Sequence, residues 1–155
     1  MQLTTATTVY VTLQFEGFHR WKNAPADVGF LRMWHRHMFG VHFEVYVDHN
    51  DRAVEFFQMK RHLWERVQEK WEGRQFEASC EAIAADLIEH MVKTHNYAVH
   101  SCRVDEDGEN GAKVLVTEQF QDDDMEFAPS KAEPTPHIPR QPEPPINPQG
   151  GGRFG

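Results

Sequence analysis

The sequence predicts an α+β fold in which two helices cover one face of an antiparallel sheet. Hydrophobic and polar residues alternate over two early segments, whereas two later segments repeat hydrophobic residues at helical spacing. Two further strand-like segments follow, so the predicted order is strand, strand, helix, helix, strand, strand. The 155 residues are enough for one domain with a modest hydrophobic core.

The first two strands are predicted from strict alternation over residues 8–15 and 38–48. Asn50 and Asp51 follow the second segment, and these residues commonly end strands in turns. The side chains expected to face the core are Val9, Val11, Leu13, Phe15, Phe39, Val41, Phe43, Val45 and Val47.

The helical period begins near residue 54 and is expected to end at Gly73. The second helix is predicted to begin near Ser79, a suitable N-cap residue, with Glu81 in its first turn. The expected buried positions of the two helices are Phe56, Met59, Leu63, Val67 and Trp71, followed by Ile83, Leu87 and Met91.

The last two predicted strands, 97–104 and 112–120, flank a link over 105–111 that is rich in turn residues, which indicates a hairpin. Eight of the nine prolines lie in 122–155, which we predict to be a disordered acidic Pro/Gly-rich tail beyond a folded domain at 1–121. Spaced prolines favour polyproline II, so the tail either recruits a protein partner or only adds solubility.

Composition argues against several functions. The net charge of −8 disfavours direct nucleic-acid binding, which needs clustered Lys and Arg. No apolar run approaches the roughly 18 residues of a membrane span, and the first residues lack the pattern of a signal peptide. Cys80 and Cys102 are too few for a disulfide framework, so a cytoplasmic protein is expected.

Three of the ten histidines form a candidate zinc site. His35 and His37 lie one residue apart in an extended segment, so both project to the face of Phe39. His19 follows the first strand, and pairing of the two strands would bring it close to them. Three imidazoles leave one position of a tetrahedral zinc open, as catalytic sites do. The alternative is that a His-x-His pair arose by chance. The histidines expected on the surface or on a helix face are His42, His62, His90, His95 and His100.

Five segments, taken together, resemble one protein family. The segments FEGFHR, WHRHMFGVHFEVYV and AVEFFQMK resemble the Phe-x-Ala-x-His, His-Gly-His and Asp-Phe-x-x-Leu-Lys segments of the 6-pyruvoyltetrahydropterin and 6-carboxytetrahydropterin synthases. EASCEAIA is similar to the family's Pro-Thr-x-Glu-Asn helix start, and VDEDGENGAKV to its Val-x-Glu-Thr-x-x-x-x-Ala hairpin. The 6-carboxytetrahydropterin synthases act early in queuosine and 7-deazaguanine synthesis.

This resemblance, which spans about residues 9–116, implies the tunnelling fold (T-fold). That fold is a ββααββ unit that assembles into homo-oligomeric rings such as hexamers, with active sites between subunits. It also implies a small-molecule pterin-like or purine-like ligand, with Glu106 as the anchor of its ring; the alternative for Glu106 is an ordinary solvated turn carboxylate. The remaining implied residues are His19, His35 and His37 as zinc ligands and Ser79, Cys80 and Glu81 as pocket lining.

The chain also departs from the family pattern. Leu31 occupies the position of the catalytic cysteine, and residues 68–76 lack the histidine of the family's Asp-His pair. Arg36 replaces the glycine between the zinc histidines, and Glu55 replaces an aspartate.

Candidates for a relocated proton relay are Cys80, whose pKa a helix N-terminus could lower, together with Glu81 and Asp27. Two functions therefore stay open. The first is a zinc-dependent lyase acting on a pterin or purine-derived molecule. The alternative is an inactive zinc-containing module that binds or sequesters such a molecule or recruits a protein through its tail. A metal-free ring-forming subunit is a third interpretation.

Overall fold

The structure, a computed structural model, describes residues 5–117. The predicted tail at 122–155 and residues 118–120 of the last predicted strand lie outside the described residues. The elements are β1 (Thr7–His19), β2 (His35–Val47), α1 (Phe56–Lys70), β3 (Gln75–Phe76), α2 (Cys80–His95), β4 (Val99–Glu106) and β5 (Asn110–Leu115), with a 3-10 segment at Ala26–Arg32.

The five strands form one sheet in the order β3-β1-β2-β4-β5. The pairs β1–β2, β2–β4 and β4–β5 are antiparallel, whereas β3 adds two residues parallel to the end of β1. Helices α1 and α2 pack on one face of this sheet, and their contacts run to β1, β4 and β5. The predicted α+β architecture is therefore confirmed.

The buried core matches most of the predicted positions. The alternating residues Val11 to Phe15 and Phe39 to Val45 are buried, while Val9 and Val47 at the far end are only half-buried. Phe56 is wrong as a core residue, because its side chain lies at the start of α1 and is 53% exposed. The buried residues of the two helices and of the C-cap of α1 are Met59, Leu63, Val67, Trp71, Ile83, Leu87 and Met91.

Several element boundaries differ from the predicted ones in ways that matter for function. His19 is the last residue of β1 rather than a residue beyond it, and β2 already begins at His35. Glu106 belongs to β4 rather than to the following link. α1 ends at Lys70, and Gly73, in a left-handed conformation, donates its backbone N–H to Glu16 of β1.

Two elements of the structure, β3 and the 3-10 segment, were not predicted from the sequence. A two-residue strand such as β3 is too short to show a period, and the 3-10 segment carries no regular hydrophobic spacing. The loop between β1 and β2, which contains the 3-10 segment, folds back on itself: the Trp21 N–H donates to the Leu31 carbonyl at 2.8 Å. Arg32 Nε also donates to the Ala24 carbonyl at 2.7 Å. These bonds set the path of the chain between His19 and His35.

Side-chain caps fix both helix starts. The Glu55 carboxylate accepts the N–H groups of Phe57 at 3.1 Å and Gln58 at 2.9 Å, so Glu55 supplies the acceptor that an aspartate provides at such positions. The Ser79 hydroxyl accepts the Ala82 N–H at 3.3 Å, which confirms Ser79 as the N-cap of α2. No helix within 5–117 is long and apolar enough to cross a membrane.

A partly buried carboxylate joins the two helices. Asp86 of α2 accepts hydrogen bonds from the Arg66 guanidinium at 2.6 and 3.0 Å and from Lys70 at 2.5 Å. The Trp71 indole N–H donates to the same carboxylate at 3.2 Å. Burial raises the pKa of Asp86, but the hydrogen bonds from Arg66 and Lys70 outweigh it and lower that pKa below its ordinary value.

We predict that Asp86→Asn lowers the free energy of unfolding by about 1–3 kcal/mol at pH 7, because charged hydrogen-bond donors lose their acceptor. The folded-state pKa of Asp86 is depressed, so its stabilisation is present above the unfolded pKa of about 3.9 and is lost as pH falls through the folded pKa. Urea unfolding of parent and variant at pH 7 and pH 3 measures this difference.

Glu89→Gln is the matched control, because Glu89 pairs with Lys93 on the exposed side of the same helix. It should change the free energy of unfolding by no more than about 0.5 kcal/mol. Equal stability of Asp86→Asn and the parent at pH 7, or a difference that grows at pH 3, would contradict the assignment.

Candidate metal centre

The register between β1 and β2 brings three imidazoles together. His19 lies directly opposite His35, and His37 lies opposite Gly17, all on the face that carries Phe39. The ring centroids are 4.5 Å apart for His19 and His35 and 5.0 Å apart for each pair with His37. One donor atom from each ring lies within 4.8 Å of the others. The expected convergence of the three side chains is thus found, and their role as metal ligands stays a prediction.

Two of the imidazoles have buried nitrogens that make no hydrogen bond. These are Nε2 of His19 and Nε2 of His35, both inaccessible to solvent; a Glu106 oxygen lies 3.3 Å from the first of them but is not hydrogen-bonded to it. The opposite nitrogen of His35, Nδ1, lies 2.8 Å from the Met33 carbonyl, which fixes the proton there and leaves a lone pair on Nε2. A buried polar atom without a partner is costly, and a bound metal ion would supply that partner. The residues therefore fit a metal.

The third imidazole is oriented by Asp107. His37 Nδ1 lies 2.5 Å from the Asp107 carboxylate, whose other oxygen accepts the Met38 N–H at 2.9 Å. The hydrogen bond from His37 lowers the pKa of Asp107, so the carboxylate stays ionised. A carboxylate on the far nitrogen is the usual support of a metal-binding histidine.

A tight turn places Asp107. Asp107 and Gly108 both have positive φ, 56° and 76°, as in Asp-Gly hairpin turns. The buried Asp105 carboxylate accepts the Gly108 N–H at 3.0 Å, and the Asp107 N–H donates to the Met38 carbonyl at 2.9 Å. The sequence indicated a hairpin here but not the role of Asp107, because nothing local shows that this turn folds against His37.

Glu106, the expected ring anchor, lies between the histidines and a pocket. Its two oxygens are 3.3 Å from His19 Nε2 and 3.6 Å from His37 Nε2. The side chain is 27% exposed, so a ligand in the pocket can reach it. Burial lowers the pKa of His19, Glu106 opposes this effect, and the neighbouring imidazoles of His35 and His37 lower the pKa further. A neutral imidazole is the form that binds metal.

The pocket beside the cluster has a volume of about 500 Å³. It contains all four residues expected to contact a ligand, together with parts of the loop between β1 and β2. Its principal side chains are Trp21, Leu31, Ser79, Cys80, Glu81 and Glu106, next to His19 and His35. Leu31, which the sequence resemblance puts at the position of a catalytic cysteine, lines this pocket and offers no proton.

Two of the three residues expected to replace the family's proton-transfer residues are poorly suited to that role. Burial and the carboxylates of Glu106 and Glu81 raise the pKa of the Cys80 thiol to about 12, so the expected lowering is wrong. Asp27 is exposed on the 3-10 segment and does not line the pocket. Hydrogen bonds from its own N–H and from Ser79 lower the pKa of Glu81, which keeps that carboxylate ionised.

The remaining histidines form no comparable centre within 5–117. His42 stacks on Tyr10 at 4.6 Å on the opposite face of the sheet, as its parity predicted. His62 and His95 stack at 3.9 Å between the helices, and the ring of His90 lies edge-on to His95 at 5.4 Å.

The sheet order, the helix pair and the histidine cluster at one end of the sheet define a T-fold. Comparison with solved structures confirms this class. The 6-pyruvoyl tetrahydropterin synthase of Caenorhabditis elegans matches with a TM-score of 0.60 at 12% identity, covering 76% of this chain and 100% of that one. An uncharacterized protein from Wolinella succinogenes matches with a TM-score of 0.57 at 13% identity, covering 72% and 99%.

No family sequence model and no curated protein sequence matches the chain. At the identities of the two structural matches, the likeness establishes the fold alone. The resemblance to the 6-pyruvoyltetrahydropterin synthase family seen in five short segments is thus matched by the architecture.

We predict that Gly111→Ala lowers the free energy of unfolding by about 1–3 kcal/mol. A Cβ at this position would meet the Val104 carbonyl and lie 2.6 Å from the Asp105 Cα, so it would force β5 away from β4, the strand that carries Glu106. Thermal or urea unfolding measures the loss.

Gly29→Ala serves as the control, because a Cβ there would meet nothing within 4 Å. It should leave the free energy of unfolding within about 0.5 kcal/mol of the parent. A tolerated alanine at 111 would show that the strands are not packed as closely as described.

Proposed function

We propose that the chain is a zinc-dependent protein of the 6-pyruvoyltetrahydropterin and 6-carboxytetrahydropterin synthase type that acts on a pterin or a related purine-derived small molecule. The observation that carries this proposal is the convergence of three imidazoles, two of which have buried nitrogens that make no hydrogen bond, beside a pocket bordered by Glu106. The likeness in fold to the 6-pyruvoyl tetrahydropterin synthase of Caenorhabditis elegans supports the ligand class.

Zinc suits the donor set. Three neutral imidazole nitrogens match the ligands of catalytic zinc sites, which keep a fourth position for water or substrate. When bound, zinc supplies Lewis acidity that polarises substrate oxygens and acidifies adjacent positions. His19, His35 and His37 would hold the ion, and Asp107 would keep His37 in the tautomer whose Nε2 carries the lone pair.

The other pocket residues would bind and shield the ligand. The Glu106 carboxylate can accept paired hydrogen bonds from the N–H groups of a pterin or guanine edge, a charge-assisted contact. Trp21 and Leu31 provide an apolar wall that suits a flat aromatic ring. Glu81, held ionised at the start of α2, is the relay candidate that remains able to accept a proton.

A second function is favoured by one observation. Leu31 stands where the resemblance puts the catalytic cysteine, and the Cys80 pKa is raised to about 12, so Glu81 is the last of the three relay candidates that could accept a proton. An inactive module that binds or sequesters a pterin or nucleotide needs only the metal and the pocket. The resemblance further leads us to expect ring assembly, a cytoplasmic location, and a place in pterin or 7-deazaguanine metabolism.

We predict one tightly bound zinc ion per chain. His35→Ala should remove it, and Asp107→Asn should lower the zinc affinity by about 10–100-fold, because the supporting carboxylate of His37 is lost. Metal analysis and competition with a chelator measure both effects on purified full-length protein.

His42→Ala, on the opposite face of the sheet, is the matched control and should bind zinc as the parent does. Protein that binds no zinc, or a His35→Ala variant that binds it as tightly as the parent, would rule out the proposed metal centre. Unfolding curves of each variant separate lost metal binding from lost structure.

We predict that the zinc-loaded protein binds dihydropterins and that Glu106→Gln weakens this binding by about 10–100-fold without changing the zinc content. Isothermal titration with dihydroneopterin measures the affinity. Glu109→Gln, an exposed carboxylate in the adjoining turn, is the control and should bind normally.

Incubation with dihydroneopterin and its triphosphate separates the two functions. Zinc-dependent formation of a product supports the lyase, whereas saturable binding without product supports the module. Absence of binding by any dihydropterin would contradict the proposed function in both forms.

A further inference from the structure

We propose that His62, His90 and His95 form a pH-sensitive contact between the two helices. This histidine contact holds the last turns of α2 against α1 while the three imidazoles are neutral, and it releases them when the imidazoles take up protons. All three residues belong to one chain. They lie toward the opposite end of α2 from Cys80, so the inference does not depend on the proposed function.

The histidine contact is built from imidazole rings of both helices. His62 of α1 and His95 of α2 lie face to face, with ring centroids 3.9 Å apart and ring planes 5° from parallel. The His90 ring meets the His95 ring edge-on at 5.4 Å. All three side chains are half-buried, and two charged imidazoles at such short distances would repel each other. The observed stacking therefore favours neutral rings.

The same stacking argues against a second metal centre. Two parallel rings direct their in-plane lone pairs along parallel planes rather than toward one ion. Among the residues at 5–117, the donor atoms of His62, His90 and His95 accordingly do not form a metal-binding group. The chemistry left to this cluster is the gain and loss of protons.

Tyr97, in the link before β4, contacts the cluster without making it pH-sensitive. Its hydroxyl lies 3.1 Å from His62 Nδ1. Burial and the nearby Glu55 carboxylate raise the pKa of Tyr97, so the hydroxyl stays neutral. A neutral hydroxyl can accept an N–H from His62 in either charge state of the imidazole. The effect of pH must therefore come from the rings themselves.

The groups that face His95 disfavour a proton there. Burial lowers the pKa of His95, and the imidazoles of His62 and His90 lower it further. Glu65 of α1 acts in the opposite direction but does not outweigh them. His95 is consequently the member of the cluster whose protonation conflicts most clearly with the folded arrangement.

The end of α2 does little to offset this conflict. A helix C-terminus attracts positive charge through its free carbonyl groups. Here the carbonyls of Met91 and Val92 already accept backbone N–H groups from the residues that follow the helix. Lys93, the other basic residue of the last turn, is paired with Glu89 on the exposed side. A proton on His95 therefore gains no carboxylate of its own from α2.

A second link between the helices does not titrate in the same pH range. Asp86 precedes His90 by one turn of α2, and Arg66 follows His62 by one turn of α1. The pKa of Asp86 lies below its ordinary value, so its pair with Arg66 stays charged at pH 5.5. Acid should therefore loosen the helices locally, at the histidine contact, while the neighbouring turn remains joined.

The direction of the effect follows from linkage. The pKa of His95 in the folded chain is below its ordinary value of 6.5, so the opened form binds more protons. The stabilisation by neutral rings is fully present above about pH 6.5. It is lost as pH falls from there through the folded-state pKa of His95.

Backbone hydrogen exchange of the full-length protein tests the release. Exchange rates of the amides at 90–97, corrected for the intrinsic effect of pH, give the extent of local opening. We expect this opening to increase at least about threefold between pH 7.5 and pH 5.5, while the amides at 83–87 keep their protection. His95→Gln cannot take up a proton and should remove the increase. His49→Gln, at an exposed position outside the cluster, should behave as the parent.

NMR of the histidine ring resonances separates charge repulsion from a merely structural contact. In protein with labelled histidine, we expect His95 to titrate below pH 6.5. His90→Gln should raise the pKa of His95, because it removes one repelling neighbour. A lost packing contact alone would not produce that shift.

Three outcomes would overturn the proposal. The first is equal opening of 90–97 at pH 7.5 and pH 5.5, and the second is a parent-like pH dependence in His95→Gln. The third is a His95 pKa at or above 6.5, or one that His90→Gln leaves unchanged. The candidate metal centre is the same in parent and variants, so the difference between them excludes its titration as the cause.

Discussion

The antiparallel register between β1 and β2 is the constraint on which the site depends. This register sets His19 opposite His35 and Phe15 opposite Phe39, and the two phenylalanine rings stack at 5.1 Å in the buried core. A slip by one residue would turn every side chain of a strand to the other face. The hydrophobic core that excludes such a slip therefore also fixes the three imidazoles, so folding and site geometry have one physical cause.

The hairpin of β4 and β5 also contributes side chains to the candidate site. The hairpin of β4 and β5 ends in a turn that brings Glu106 and Asp107 against His37, about 70 residues earlier in the chain. The buried nitrogens of His19 and His35 that make no hydrogen bond reduce stability, which the core has to offset. Such a concentration of polar groups at the end of a well-packed sheet is typical of a functional site rather than of a structural one.

Sequence reasoning was most successful where the signal is periodic. Alternation over β2 placed His35 and His37 on the face of Phe39, and strand pairing then located His19 beside them. Prediction from the sequence failed where a residue's pKa or contacts depend on the tertiary structure. The helix N-terminus suggested a low pKa for Cys80, but burial and carboxylates brought near by the fold reverse the direction. No local sequence feature indicates that Asp107 contacts His37, because that contact forms only when the hairpin packs against β2.

The central claim is that three imidazoles of this chain bind one metal ion. X-ray absorption at the zinc edge of the zinc-loaded protein tests it most directly, because the spectrum reports ligand type and distance. We expect three imidazole nitrogens at about 2.0 Å with one further light atom and no sulfur. A sulfur scatterer near about 2.3 Å, or a first shell with fewer than three imidazoles, would contradict the account.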